Sequence, residues 1–164
     1  MKKKTTEVKT KTFIYKGIGV PVKLVNVPMK KVAGVWCLDV NMNKLMLIVL
    51  QEIVHKPTAL NGAELRYIRT YLEMNMTEFG KAFGVSHVAV LKWEGAQNQI
   101  SPSLEVCIRL YVLNHLQAKD KEFRALYNDI DLYQLSKGPK GTIHQIAVDA
   151  TTDDLKIAAS CRCL

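Results

Sequence analysis

The sequence lacks the paired cysteines from which proteins most often build structural zinc sites. Its four cysteines, Cys37, Cys107, Cys161 and Cys163, include no C-x-x-C pair. A structural zinc ion needs four ligands, and paired cysteines are a common source of them, so the sequence predicts no metal centre. The simpler expectation is a reducing compartment in which the thiols stay free.

Long apolar segments are also missing. The longest uninterrupted apolar run covers residues 45–50, far short of the roughly 20 residues that a membrane-spanning helix needs. No apolar segment of the signal-peptide type follows the basic N-terminus. We therefore expect a cytoplasmic protein without membrane contact.

No pattern typical of an enzyme's active site is visible. The histidines His55, His87, His115 and His144 are scattered, and there is no nucleophile elbow, phosphate-binding P-loop or H-E-x-x-H zinc motif. No pair of carboxylates stands out from the solvated ones. We therefore expect no catalytic residues, no cofactor and no enzymatic activity.

Acidic residues are scarce in only one part of the chain. The net charge is +8, and residues 1–60 carry all of it, with 11 lysines and three acids. Residues 61–117 and 118–164 each balance to zero. A basic surface attracts nucleic acid, but a lysine-rich terminus can equally be a solubilising tail. For residues 2–11 both interpretations stay open.

Turn and helix signals divide the chain into four predicted segments. Residues 1–11 are expected to form a disordered basic arm, and residues 12–57 a small α+β domain. Residues 58–117 carry the clearest helix signals, and residues 118–164 form a C-terminal extension with a helix and a strand. The predicted fold class is mainly α, within an α+β protein.

Apolar periodicity locates the elements outside the central segment. Pro21 and Pro28 are expected to break the second strand, because proline has no N–H to donate to a sheet. The expected elements are strands near 13–15, 20–27 and 32–38, helices over 43–55 and 120–133, and a strand over 142–148.

Capping residues mark helix starts within residues 58–117. Asn61 and Asn75 are each followed three residues later by a glutamate, Glu64 and Glu78, as in a capping box. Ser101 precedes a proline at the first helical position. Helices are therefore expected over about 61–72, 76–83, 86–95 and 101–116.

Residues 76–94 have the pattern that a helix-turn-helix requires. Such a unit needs a very small residue where its helices cross and a residue that tolerates positive φ at the turn, and Gly80 and Gly84 fill these roles. Its second helix must keep a polar or small outward face for the DNA major groove. The apolar residues expected where the two helices meet are Phe79, Phe83, Val85, Val90 and Trp93.

This segment, M-T-E-F-G-K-A-F-G-V-S-H-V-A-V-L-K-W-E, resembles the helix-turn-helix of the lambda repressor/Cro (XRE) family. The likeness covers about residues 61–117, roughly a third of the chain. It implies a five-helix, lambda-repressor-like domain that binds double-stranded DNA and regulates transcription, with small extensions on both sides.

Within that family, the run L-N-G-A-E-L-R-Y-I-R at residues 60–69 is most similar to antitoxins of the MqsA and HigA kind. This likeness implies an autorepressor of a toxin–antitoxin operon, with a cognate toxin as a possible partner. The MqsA kind binds zinc through two C-x-x-C pairs, which this sequence lacks. A repressor of a phage or mobile element, without a toxin, is the close alternative.

The resemblance also implies which side chains contact DNA. On the second helix of the unit, Ser86, His87, Val88 and Lys92 occupy base-facing or phosphate-facing positions. Lys92 can donate to a guanine edge or a phosphate, and Val88 can touch a thymine methyl group. His87 can donate or accept a hydrogen bond, depending on its tautomer.

Three further residues complete the expected DNA-binding set. Thr77, with the backbone N–H groups at the start of the first helix, is expected at a phosphate. Gln97 and Asn98 are expected to hold the DNA backbone beyond the second helix. The resemblance gives Arg69 and Glu94 a structural role instead, as an ion pair that fixes the second helix.

Two positions depart from the family pattern. Met76 replaces a glutamine that braces a phosphate, and Leu91 replaces a residue that is usually polar. Together with the neutral charge of residues 61–117, they favour a second hypothesis, a protein-binding module that no longer reads DNA.

The helix over 101–116 is apolar on more than one face. One stripe can cover the core, and the other then needs a partner. We therefore expect a homodimer on a palindromic operator, with its recognition helices about 34 Å apart. The alternative is that residues 118–164 cover the second stripe.

Overall fold

The computed structural model describes residues 9–116, 146–150 and 156–157, which form an α+β structure. It separates into two compact units, a sheet unit of Met1–Val49 with His144–Leu164 and a helical unit of Leu50–Ile143. The strands are β1 Lys9–Tyr15, β2 Val22–Val32, β3 Val35–Leu38, β4 Ile146–Asp149 and β5 Lys156–Ile157. The helices are α1 Met42–His55, α2 Gly62–Tyr71, α3 Met76–Ala82, α4 His87–Glu94 and α5 Pro102–His115.

The long strand β2 organises the sheet unit. It pairs antiparallel with β1 and β3 and parallel with β4, and β5 pairs antiparallel with β4. Val22 and Leu24 alternate with exposed Lys23, so β2 has one buried and one open face there. A register shift between Lys11 and Phe13 of β1 interrupts the regular pairing.

Three features of the sheet differ from the sequence-based expectations. The predicted strand over 32–38 is divided by a turn at Ala33 and Gly34, so Val32 ends β2 and Val35–Leu38 forms β3. β1 begins at Lys9, inside the predicted arm of residues 1–11, because residues 9–11 pair with β2. β2 also continues through Pro28, where the sequence predicts a break. The carbonyl of Pro28 accepts a 2.9 Å hydrogen bond from the N–H of Asp39, so this proline still contributes an acceptor. The predicted helix over 120–133 lies outside the described residues.

The helical unit confirms the predicted capping boxes. Asn61 accepts from the N–H of Glu64 at 3.0 Å, and the Glu64 carboxylate accepts from the N–H of Asn61 at 2.8 Å. Asn75 and Glu78 repeat the arrangement at the start of α3. Ser101 occupies the cap position of α5 but makes no side-chain capping bond. Short-range signals therefore fix where these helices begin.

A buried arginine in α5 holds the segment that leads into α2. Arg109 is fully buried, and its guanidinium pairs with Glu105 at 2.6 Å, one turn earlier. The same Glu105 oxygen accepts the N–H of Leu60 at 3.0 Å. The guanidinium also donates, at 2.6–2.8 Å, to the carbonyls of Val54, Lys56 and Thr58.

A second buried ion pair joins this segment to α2. The ammonium of Lys56 donates to the carboxylate of Glu64, the residue that also completes the α2 capping box. Burial lowers the pKa of Lys56, and the hydrogen bond and charge of Glu64 only partly oppose that effect. Glu64 therefore links the start of α2 to the chain before it.

No described helix is long and apolar enough to cross a membrane.

Replacing Arg109 with methionine tests the buried cluster. The change leaves Glu105 as an uncompensated buried charge and three carbonyls without their donor, so we expect a loss of about 3–5 kcal/mol in the free energy of unfolding. Urea denaturation of the full chain measures it. The control R109M/E105Q removes the orphaned charge and should recover part of the loss. Unchanged stability of R109M would contradict the assigned role.

Candidate nucleic-acid interface

The turn between α3 and α4 brings these two short helices into close contact. Gly84 has φ +68°, the left-handed conformation that the sequence predicts for it. At Gly80, an added Cβ would lie 2.6 Å from the carbonyl oxygen of Val85, whose own N–H donates to the Gly80 carbonyl. Both predicted roles of these glycines are confirmed. A side chain at position 80 would push the helices apart.

Apolar and aromatic contacts close the inner side of this pair of helices. Phe79 and Val90 are fully buried. The ring of Phe83 lies 4.8 Å from that of Phe79 and 5.2 Å, edge to face, from that of Tyr111 on α5, measured between centroids. This packing joins α3 to α5 and leaves the opposite side of α4 to solvent.

The far end of α4 is fixed to α2 by the carboxylate of Glu94, which is fully buried. Arg69 reaches it at 2.5 and 3.1 Å, which confirms the predicted ion pair. Arg66, which the sequence analysis missed, adds a third hydrogen bond at 3.0 Å. Arg69 also donates to the carbonyl of Met74, so one guanidinium joins α2, the following turn and α4.

The approach of α4 to α2 also depends on Gly62, another residue that sequence reasoning missed. An added Cβ at Gly62 would lie 2.5 and 2.6 Å from the carbonyl oxygens of Glu94 and Trp93. Glycine is therefore required next to Asn61, at the first turn of α2. No local signal could have found this role, because the backbone that Gly62 approaches lies about 30 residues further along the chain, at Trp93 and Glu94.

The electrostatics of this junction keep Glu94 ionised. Burial by itself raises the pKa of Glu94, but the hydrogen bonds and positive charges of Arg69 and Arg66 outweigh it. The pKa of Glu94 therefore lies below its ordinary value. The two arginines of α2 therefore favour the charged carboxylate at the end of α4.

The outer face of α4 presents the predicted recognition residues to solvent. His87 and Lys92 are exposed, and Ser86 caps the helix by accepting the N–H of Ala89. Val88 and Leu91 are 43% and 52% exposed, which is high for aliphatic side chains. The structure thus brings Ser86, His87, Val88 and Lys92 together at one exposed helix, as the sequence predicts.

The remaining predicted residues lie on either side of this helix. The side-chain oxygen of Asn75 already accepts the backbone N–H groups of Thr77 and Glu78. These two donors are therefore occupied, and Thr77 offers its exposed hydroxyl instead. Gln97 and Asn98 are exposed in the loop that follows α4. Their contacts with DNA stay a prediction.

The described part of the helical unit, residues 50–116, is electrically neutral. It contains six basic and six acidic residues, and the ion pairs above bury several of them. Within residues 9–116, 146–150 and 156–157, no group of three histidine, cysteine or carboxylate side chains could hold a metal ion. Within residues 50–116, any attraction to phosphate must therefore come from individual side chains.

Comparison with protein-family models, curated proteins and solved structures finds no match to this chain. The candidate role of α3 and α4 is therefore argued from their own contacts, burial and exposure.

Replacing Arg69 with methionine tests whether the α2–α4 junction is structural. Arg69 is 15% exposed and its partner is fully buried, so we expect a loss on the order of 3–5 kcal/mol in unfolding free energy. The control R66M removes the 59% exposed arginine from the same carboxylate and should cost less than about 1 kcal/mol. Thermal and urea denaturation compare the two; equal losses, or an unchanged melting temperature for R69M, would refute the assignment.

Proposed function

We propose that this chain is a sequence-specific DNA-binding transcriptional regulator in which α3 and α4 form a helix-turn-helix. The observation that carries the proposal is the way α4 is held. Its inner side is buried through Val90, its end is fixed by Glu94, and its outer side is exposed. A helix held on its inner side, with Ser86, His87 and Lys92 on its exposed outer side, is suited to insertion into the major groove.

The exposed side chains of α4 supply the chemistry for reading base edges. Lys92 donates to the O6 and N7 acceptors of guanine or to a phosphate, and Val88 packs against a thymine methyl group. Ser86 and His87, at the start of α4, add short polar contacts. Thr77, Gln97 and Asn98 fix the register by contacting the DNA backbone.

Within this class, we propose an antitoxin-type autorepressor of a toxin–antitoxin operon that binds a palindromic operator. Support comes from the likeness of the run at residues 60–69 to antitoxins of the MqsA and HigA kind, and in the structure its Gly62, Arg66 and Arg69 build the junction that holds α4. A repressor of a phage or mobile element would use the same helix in the same way. The two differ in whether a cognate toxin is encoded beside the gene, which sequencing of adjacent reading frames decides.

A specific observation favours a second candidate, a protein-binding module on the same fold. Val88 and Leu91 expose aliphatic surface side by side on α4, and the described helical unit carries no net charge. Protein interfaces have apolar centres with polar rims, whereas phosphate contacts provide much of DNA affinity. Selection of a particular DNA sequence by the chain would distinguish the first candidate from the second.

Selection of duplexes from a random pool tests the first candidate directly. Wild-type protein should enrich a defined site, and H87A/K92A should lower the ratio of specific to random affinity about tenfold or more, because good base contacts are worth roughly 1–3 kcal/mol. The control K81A changes an exposed lysine on α3 and should leave that ratio unchanged.

Gel-shift titrations across salt concentrations measure whether the DNA-binding candidate is wrong. A DNA-binding protein shows a steep decrease of affinity with salt. Enrichment of no sequence, together with a shallow salt dependence, would favour the protein-binding module. An unchanged specificity ratio in H87A/K92A would remove α4 from the reading role.

A homodimer is expected through the outer side of α5. Ile108, Val112 and Leu113 are buried, whereas Val106 and Leu110 stay half-buried. Sedimentation at micromolar concentration should give twice the chain's 18.5 kDa mass. L110K should shift the protein toward monomer, and the control N114K, at an exposed position of the same helix, should not. A monomeric wild-type protein would contradict the dimer.

A further inference from the structure

The turn between β2 and β3 forms an exposed two-stranded ribbon. Val32 pairs directly with Val35, and the two residues between them, Ala33 and Gly34, have φ of +50° and +85°. Positive φ at both central positions is the geometry of a tight type I′ hairpin. Every residue of this hairpin tip, residues 30–35, is exposed, so both faces of the ribbon meet solvent.

The hairpin tip combines an apolar end with positive charge on both faces. Val32 and Val35 are 50% and 64% exposed and, being paired, lie on the same face. Because strand side chains alternate, Lys30 shares that face and Lys31 lies on the opposite one. Lys30 pairs with Asp39 at 2.7 Å, but both groups are half exposed, and such a pair is weak and easily exchanged.

Charge indicates which kind of partner the hairpin tip can bind. The described parts of the sheet unit carry eight lysines against two acids, Asp39 and Asp149. A second copy of the tip would bring like charges together, whereas a polyanion would release bound counterions on contact. Two-stranded ribbons are used by proteins to contact DNA in the major or the minor groove. Aliphatic side chains flanked by cations are the combination with which proteins wedge apart base steps from the minor groove.

We propose that the hairpin tip is a second DNA contact, in which Lys30 and Lys31 neutralise phosphates and Val32 and Val35 press against base steps in a groove of duplex DNA. This inference rests on the proposed DNA-binding function, but it concerns a different unit from α4. It acts on duplex DNA of any sequence, since neither lysine–phosphate contacts nor an aliphatic wedge reads a base pattern.

Salt titration with a random-sequence duplex tests the charge contribution on the full chain. K31Q should reduce the slope of log affinity against log salt by about 0.9, the change for one lost phosphate contact. The matched control K16Q changes an exposed lysine of the same unit, directly after β1, and should leave the slope unchanged. An unchanged slope for K31Q would overturn the inference, and so would an equal loss for K16Q.

A second variant pair tests the apolar end. V32T/V35T keeps the β-branched shape that favours strands, so the hairpin should persist. It should weaken random-duplex affinity about tenfold at an unchanged salt slope, and it should reduce duplex bending measured by energy transfer between end labels. The control I14T alters another exposed aliphatic residue of the sheet and should change neither quantity. Wild-type affinity and bending in V32T/V35T would overturn the wedge.

The outcomes separate this inference from the proposed function. If H87A/K92A loses sequence preference while the hairpin variants behave as wild type, α4 reads DNA and the hairpin inference fails. If the hairpin variants lose affinity while H87A/K92A keeps its specificity ratio, the hairpin inference stands and the role of α4 fails. If wild-type protein does not bind random duplex at low salt, both fail, and the apolar tip fits a protein surface better.

Discussion

The buried carboxylate of Glu94 is the constraint on which the arrangement of the helical unit depends. It is the last residue of α4, and two arginines from successive turns of α2 reach it, while Gly62 lets the backbones approach. At the other end of α4, the close crossing at Gly80 fixes the entry from α3. A helix restrained at both ends loses little additional conformational freedom when its outer face meets a ligand, and such preorganisation favours binding.

A second buried ion pair has the same role at the start of the unit, where Arg109 and Glu105 hold the chain between α1 and α2. In both clusters a buried charge is fully paired and its remaining hydrogen-bonding groups are used. Among the described residues, no buried side-chain nitrogen or oxygen is left without a partner. Buried pairs add little net stability, but losing one partner is costly. Such clusters therefore penalise any packing in which α4 or the segment after α1 shifts.

Sequence reasoning succeeded where the signal was local. The capping boxes at Asn61 and Asn75, the turn at Gly84 and the crossing at Gly80 each depend on residues within a few positions. The role of Arg109 could not be predicted, because its partners are backbone carbonyls more than 50 residues away, and a carbonyl leaves no trace in the sequence. The parallel pairing of β2 with β4 was hidden for a similar reason: short apolar runs do not specify long-range partners.

The distribution of charge bears on how residues 50–116, the described part of the helical unit, could discriminate between DNA sequences although they carry no net charge. Lysine–phosphate attraction strengthens binding to every sequence equally, so it raises affinity without raising the specificity ratio. If α4 reads DNA, residues 50–116, which carry no net charge, contribute little to this sequence-independent attraction, and base contacts then make up a larger share of what α4 adds. If the lysines of the sheet unit supply the phosphate attraction that is the same for every sequence, overall affinity and sequence selectivity come from separate surfaces. Mutation could then tune one of them while the geometry around Glu94 stays unchanged.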